Sequence, residues 1–130
     1  MDEKTLFFFD RWPELIPLYQ QAEEFLLAAF PETEIRVQKT QISFYDGCLY
    51  ACVYLPERKL PGRPRTYLGF AIGLGRKAEG PRFSAVSNPY PGRWTHHMPL
   101  FSPDDLDTEW QCLLKEAHDF SLQKRKKIAP

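Results

Sequence analysis

At 130 residues, with 43% hydrophobic and 26% charged side chains, the chain is sized and composed to fold as one soluble domain around its own core. It is too apolar to be disordered, and no apolar run approaches the ~20 residues of a membrane span. Seventeen acids balance seventeen bases, which argues against a nucleic-acid-binding surface.

The opening MDEKTLFFFDRW carries acids where a secretory leader needs Lys or Arg, so the expected location is the cytoplasm. The first helix is expected near 13–30. Leu15, Leu18, Tyr19, Ala22, Phe25, Leu26 and Ala29 recur at three-and-four spacing, Pro13 suits a first turn, and Pro31 ends the pattern. Strands follow. IRVQKTQISFY reads as one strand turning at Asp46-Gly47 into CLYACVYLPE; TYLGFAIGL, residues 66–74, is the next, and RWTHHMPLF the last. The stretches RKLPGRPR and GRKAEGPRFSAVSNPYPG read as irregular connections. A second helix is expected near 103–122, with Ser102 as cap, Pro103 at its first position and Asp105 closing a capping box. Leu106, Trp110, Leu113, Leu114 and Ala117 form its apolar stripe, and Cys112 points the other way. A basic tail, residues 123–130, lies beyond it. The expectation is an α+β fold: an antiparallel sheet of four or more strands with the N- and C-terminal helices packed on one face.

Strand alternation sorts the sheet residues into two faces. Ile42, Phe44, Leu49, Ala51, Val53, Leu55, Leu68, Phe70, Ile72 and Leu74 share the apolar face, which is core. The other face collects Lys39, Gln41, Ser43 and Tyr45, then Tyr50, Cys52 and Tyr54, then Tyr67, Gly69, Ala71 and Gly73. Glycine weakens a strand, so Gly69 and Gly73 imply a close approach by something, either a ligand or a Pro-rich loop such as residues 80–93.

Charge is unevenly distributed. Residues 1–35 hold eight acids against two bases, residues 56–82 seven bases against two acids, and residues 102–123 six acids against one base. Solvated helix faces are the simplest account. Three cysteines, an odd number, suit a reducing compartment. Cys48 and Cys52 lie four residues apart on one strand, a span of ~13 Å that no disulfide can bridge.

Few motifs carry chemistry. GLGRKAEG lacks the third glycine of a dinucleotide turn, and RKLPGRP fits a polyproline ligand but is better explained as a loop between strands. The adjacent His96 and His97 face opposite ways on a strand and cannot chelate one metal. His96 shares parity with Trp94, Met98 and Leu100 and points toward the helices; His97 points to the polar face.

Three segments, KTQISF (39–44), SAVSNPYPGRWTHH (84–97) and SPDDLDTEWQCLLKEA (102–117), resemble the bacterial domain of unknown function 5655. With the first helix, the likeness covers most of residues 14–120. That family's last helix carries its tryptophan nearer Leu113, whereas here it is Trp110, three residues earlier and on the same helix face. The resemblance implies an intracellular bacterial domain. It implies no activity and no catalytic residues.

Two classes of function stay open. The favoured one is a non-catalytic module that binds a small ligand or a protein partner on the polar sheet face. Its expected site is Lys39, Gln41, Ser43, Tyr50 and His97 around a floor of Gly69 and Ala71, with Lys39 attracting an anionic or polar ligand. The second is a small enzyme using Cys52 or His97 with Lys39, the thiol being activated by a nearby base. No metal, cofactor, nucleic acid or membrane contact is expected. The oligomeric state is not legible in the sequence.

Overall fold

A computed structural model describes residues 2–56 and 60–128, with side chains described as far as Gln123. Six antiparallel strands form one sheet in the order β1-β2-β3-β4-β6-β5. They are β1 (Glu34–Val37), β2 (Ile42–Asp46), β3 (Cys48–Tyr54), β4 (Gly69–Leu74), β5 (Ala85–Tyr90) and β6 (Arg93–His97). Three helices, α1 (Glu3–Phe8), α2 (Ile16–Ala29) and α3 (Thr108–Ile128), accompany it. The α+β fold with helices on one sheet face is therefore as expected, and its boundaries are refined.

The first helix is split in two by its prolines. Pro13–Leu15 form a 3₁₀ turn, and α2 begins at Ile16, which puts Pro17 in a first turn where no backbone donor is lost. Helix α1 was not expected. Asp2 caps it by accepting the Thr5 amide at 2.8 Å, and Phe8 and Phe9 carry the core back beyond residue 13. The fully buried Phe9 ring meets Tyr19 of α2 at 5.1 Å, and Tyr19 in turn stacks on Phe44 of β2.

At the other end, Ser102, Pro103 and Asp105 form a 3₁₀ turn, Pro103–Asp105, rather than the start of the long helix. Asp105 accepts the Phe101 and Ser102 amides at 2.7 and 3.2 Å, within the Ser102–Asp105 capping box that the sequence promised. Asp107 then caps α3 by accepting the Trp110 amide. From Trp110 onward the stripe is placed as expected, with Trp110, Leu114 and Ala117 fully buried and Cys112 exposed, whereas Leu106 falls before α3, at the end of the 3₁₀ turn, and is half-buried. Trp110 packs its ring against Phe25 of α2 and Phe70 of β4, so one side chain joins both helices to the sheet.

Residues 75–92 are not all irregular. Ala85–Tyr90 is the edge strand β5, which tolerates Pro89 because an edge strand needs no donor on its outer side. A register shift falls between Ser87 and Tyr90, and there the Asn88 side-chain amide donates to the carbonyls of Tyr90 and Arg93. Gly92 closes the hairpin at φ +83°, a conformation that favours glycine.

The segment before β5 runs along the helix side of the sheet. The Ala78 amide donates to His96 Nε2 at 2.9 Å, and Phe83 packs on the His96 ring. Arg76 pairs with Glu116, and Arg82 pairs with Asp107 and Glu109 while donating to the Asp105 carbonyl. The uneven charge runs thus meet across the fold in part, rather than lying only on solvated faces. Arg58 of the polyproline-like motif lies outside the described residues, as do the side chains of the basic tail.

Candidate functional site

Register places the polar face residue by residue. Arg36, Ser43, Cys52, Ala71, His97 and Ala85 pair in turn across all six strands, forming one row. Directly paired residues share a face, so Cys52 and His97 do both belong to the polar side. They are two strands apart, about 9–10 Å at ordinary strand spacing, with Ala71 between them. Burial pushes the Cys52 thiol up to about 11, with only a partial offset from the Arg93 charge. A thiol kept protonated and a base two strands away do not make an activated nucleophile.

Around this row lies a depression of about 390 Å³. Ala71 lies in its floor; Tyr54, Tyr67 and His97 contribute rings; Gln41 and Thr40 border it on the side of β2. Leu60, Ser84 and Ala85 complete the rim. Arg63, in the connection after Leu60, donates to the Pro81 carbonyl at 2.6 Å and ties that connection to the start of β5.

The two glycines of β4 are explained by side chains rather than by a covering loop. A Cβ at position 69 would run into the Tyr54 ring, which lies flat over the strand. From there the Tyr54 hydroxyl reaches His97 Nδ1 at 2.8 Å, and the two rings meet edge-on at 5.7 Å. Arg93 does the same at Gly73, where a Cβ would lie 2.6 Å from its guanidinium carbon. The segment Gly75–Phe83 does not fill this face, because its contacts to His96 and α3 hold it on the helix side.

Of the five residues expected to form the site, the structure brings together Gln41 and His97 at the depression, with Ser43 beside them. Ser43 is fully buried; its hydroxyl accepts from Gln41 at 2.7 Å and donates to Gln38 at 2.9 Å. It positions the Gln41 amide rather than presenting its own hydroxyl. Lys39 is not on a strand. Residues 38–41 turn between β1 and β2, closed by the Gln38 amide on the Gln41 carbonyl, so Lys39 is exposed on the turn and does not line the depression.

Tyr50 is on the opposite face. A bulge at Phe44/Tyr45 pairs Ser43 with Cys52 and Phe44 with Ala51, but Tyr45 with Leu49, so Tyr50 is the extra residue. Its ring turns to the helices against Phe30 and His118, its hydroxyl bonds Thr33 at 2.7 Å, and burial pushes it up to about 12. Leu49, expected in the core, correspondingly borders a small hollow on the polar side. The expected five-residue group therefore does not form as a set.

The residues missed are Tyr54 and Tyr67 as walls, and Thr40, Leu60, Ser84 and Ala85 at the rim. Tyr54 had a signal: it stands directly opposite Gly69, the strand glycine whose missing side chain needed a reason. The rim residues come from connections and an edge strand, whose approach no alternation pattern encodes.

His96 is buried on the helix side, as its parity implied. Nε2 accepts from Ala78, so the proton sits on Nδ1 and is donated to the Trp94 carbonyl at 3.1 Å. Burial holds its pKa below the usual histidine range. Among the described residues no three His, Cys, Asp or Glu side chains gather where they could hold a metal ion. No helix among the described residues is long and apolar enough to cross a membrane.

These features define a class: an α+β domain whose antiparallel sheet buries one face under helices and leaves an open, tyrosine-walled depression on the other. The chain belongs to the family described as a domain of unknown function, DUF5655, which it matches over residues 7–121. No curated protein and no solved structure matches it.

Proposed function

We propose that this domain is a non-catalytic module that binds a small polar molecule with a flat ring, in the depression over Ala71. The observation that carries this reading is the Tyr54–His97 pair laid across Gly69. A side chain that could have pointed into solvent is instead held flat, so that its ring and hydroxyl shape a cavity within the usual size range of small-ligand sites. The lining supports the same conclusion. Tyr54 and Tyr67 offer flat apolar walls, while Gln41, Thr40, Ser84 and His97 offer neutral donors and acceptors. Among the described residues no carboxylate, lysine or arginine lines it, so recognition by these residues rests on shape and directional hydrogen bonds.

The alternative of a small enzyme using Cys52 or His97 with Lys39 has less behind it. Lys39 is away from the depression, and the Cys52 thiol is raised by burial and distant from His97. The test of the binding reading is an isotope-edited NMR titration of the full chain with neutral aromatic amides, headed by phenylpropionamide. Binding is expected to perturb Gln41, Tyr54, Ala71, Ser84 and His97 together. Ala71→Leu, which fills the floor, is expected to abolish binding, with overpacking at this buried alanine costing about 1–3 kcal/mol. Perturbations spread elsewhere, or binding indifferent to Ala71→Leu, would remove the reading.

A further inference from the structure

The geometry points to an anion-binding subsite at Arg93, adjoining the depression over Ala71, so that the ligand is a flat polar ring carrying one carboxylate or phosphate group. This inference rests on the reading of the depression given above and adds the charge of its occupant.

A second, smaller hollow of about 60 Å³ lies on the same sheet face, bordered by Leu49, Gly73, Arg93 and Thr95. It shares Cys52 and Ala71 with the larger depression, so the two adjoin across the middle of the sheet. Its volume exceeds that needed for a few water molecules, which suits a group the size of a carboxylate. The guanidinium of Arg93 lies there. Gly73 presents no side chain, the guanidinium lies against its backbone, and Arg93 is half-buried. Its planar fork matches carboxylate and phosphate oxygens.

Charges on the rest of this face leave Arg93 available. Arg36, on the row of Ser43 and Cys52, is engaged by Glu34 at 2.9 Å and lies over the Tyr45 ring. Among the described residues no carboxylate lies within ion-pair distance of Arg93. Glu116, Asp107 and Glu109 all pair with arginines of the segment on the helix side. Among the described residues this positive charge has no carboxylate partner and the adjoining depression has no charged lining, which sets the polarity of a ligand that spans both.

The spacing sets its length. Ala71 and Gly73 are two residues apart on β4, about 7 Å. A ring over Ala71 therefore places its anion at Arg93 through a short spacer, as in phenylpropionate. Benzoate, with no spacer, falls short.

The experiment titrates the full chain with phenylpropionate and with its neutral isostere phenylpropionamide, for the wild type, Arg93→Gln and Arg93→Lys, following amide shifts of Gly73, Arg93 and His97. The anion is expected to bind about tenfold more tightly than the amide, as a charge-assisted pair implies. Arg93→Gln should erase that preference while leaving the amide's affinity unchanged, and Arg93→Lys should keep part of it. Phenyl phosphate in a second arm separates a phosphate ligand from a carboxylate one, and Arg93-dependent binding of either supports the subsite. Equal affinity for anion and amide overturns the subsite and leaves the depression standing. A preference that survives in Arg93→Gln also overturns it, because the charge then lies elsewhere. If neither compound binds, the depression and its subsite fall together.

Discussion

Substituting Gly69 tests the central geometric claim, that the glycine exists to let Tyr54 lie across β4. A methyl group at 69 meets the Tyr54 ring, so the ring has to lift. Lifting breaks the hydrogen bond to His97, worth about 0.5–1.5 kcal/mol, and the edge-on ring contact, worth about 0.5–1.5 kcal/mol. Against this, replacing Gly by Ala restricts the unfolded chain and stabilises by about 0.4–1 kcal/mol where the backbone suits it, and Gly69 has no positive φ. Gly69→Ala should therefore destabilise the protein by about 0.5–2 kcal/mol overall. In a Tyr54→Ala background the obstruction is gone, and the same substitution should instead stabilise by about 0.4–1 kcal/mol. The change of sign is the result to look for. Urea denaturation of the four proteins, with the slope m held common, gives the coupling energy, expected to be at least about 1 kcal/mol. Gly69→Ala shifting stability equally in both backgrounds would refute the reasoning, because glycine and tyrosine would then be independent.

Two further outcomes follow from the core. Trp110→Ala should cost about 3–5 kcal/mol in the same denaturation assay, since the ring is fully buried between Phe25 and Phe70; a change within about 0.5 kcal/mol would deny it that place. His96 has a folded pKa held below its unfolded value of about 6.5, so the unfolded state takes up the proton first and stability falls as pH drops below that value. His96→Gln should flatten this acid-side fall, measured by denaturation at neutral and at mildly acidic pH; an unchanged slope would place the titrating group elsewhere.

How much of this was legible in the sequence depends on what encodes each feature. Faces defined by alternation inside an uninterrupted strand were legible: β4 carries Phe70, Ile72 and Leu74 inward and Gly69, Ala71 and Gly73 outward, and the paired histidines of β6 divide as parity requires. The errors arise where the period is broken without a sequence signal. The bulge at Phe44/Tyr45 adds one residue to β3, and because a strand has period two, one extra residue sends Tyr50 to the helices and Leu49 to the polar side. The turn at 38–41 removes Lys39 from the sheet, although Lys39, Gln41 and Ser43 alternate as a strand would. Both shifts follow from which chain segment lies opposite. Tyr50 finds Phe30 and His118 there, a partnership between the end of α2, the middle of α3 and one hairpin that no local window contains.

The same consideration explains why the polar face could be located while its charge could not. The glycines of β4 announced that something lies flat on the strand, and their spacing gave its two places. What lies there came from neighbouring strands: Tyr54 from β3 at Gly69 and Arg93 from β6 at Gly73. In sequence, Lys39 shares parity with Gln41 and reads as the cation of this face, whereas Arg93 stands at the start of β6, in a hairpin whose other strand, β5, carries no clear alternation. A bare central strand is thus covered by two long side chains reaching inward from opposite sides, one neutral and aromatic, one cationic. The row of Cys52, Ala71 and His97 between them is left low, and that hollow is where a ligand with a ring at one end and a charge at the other would have to sit.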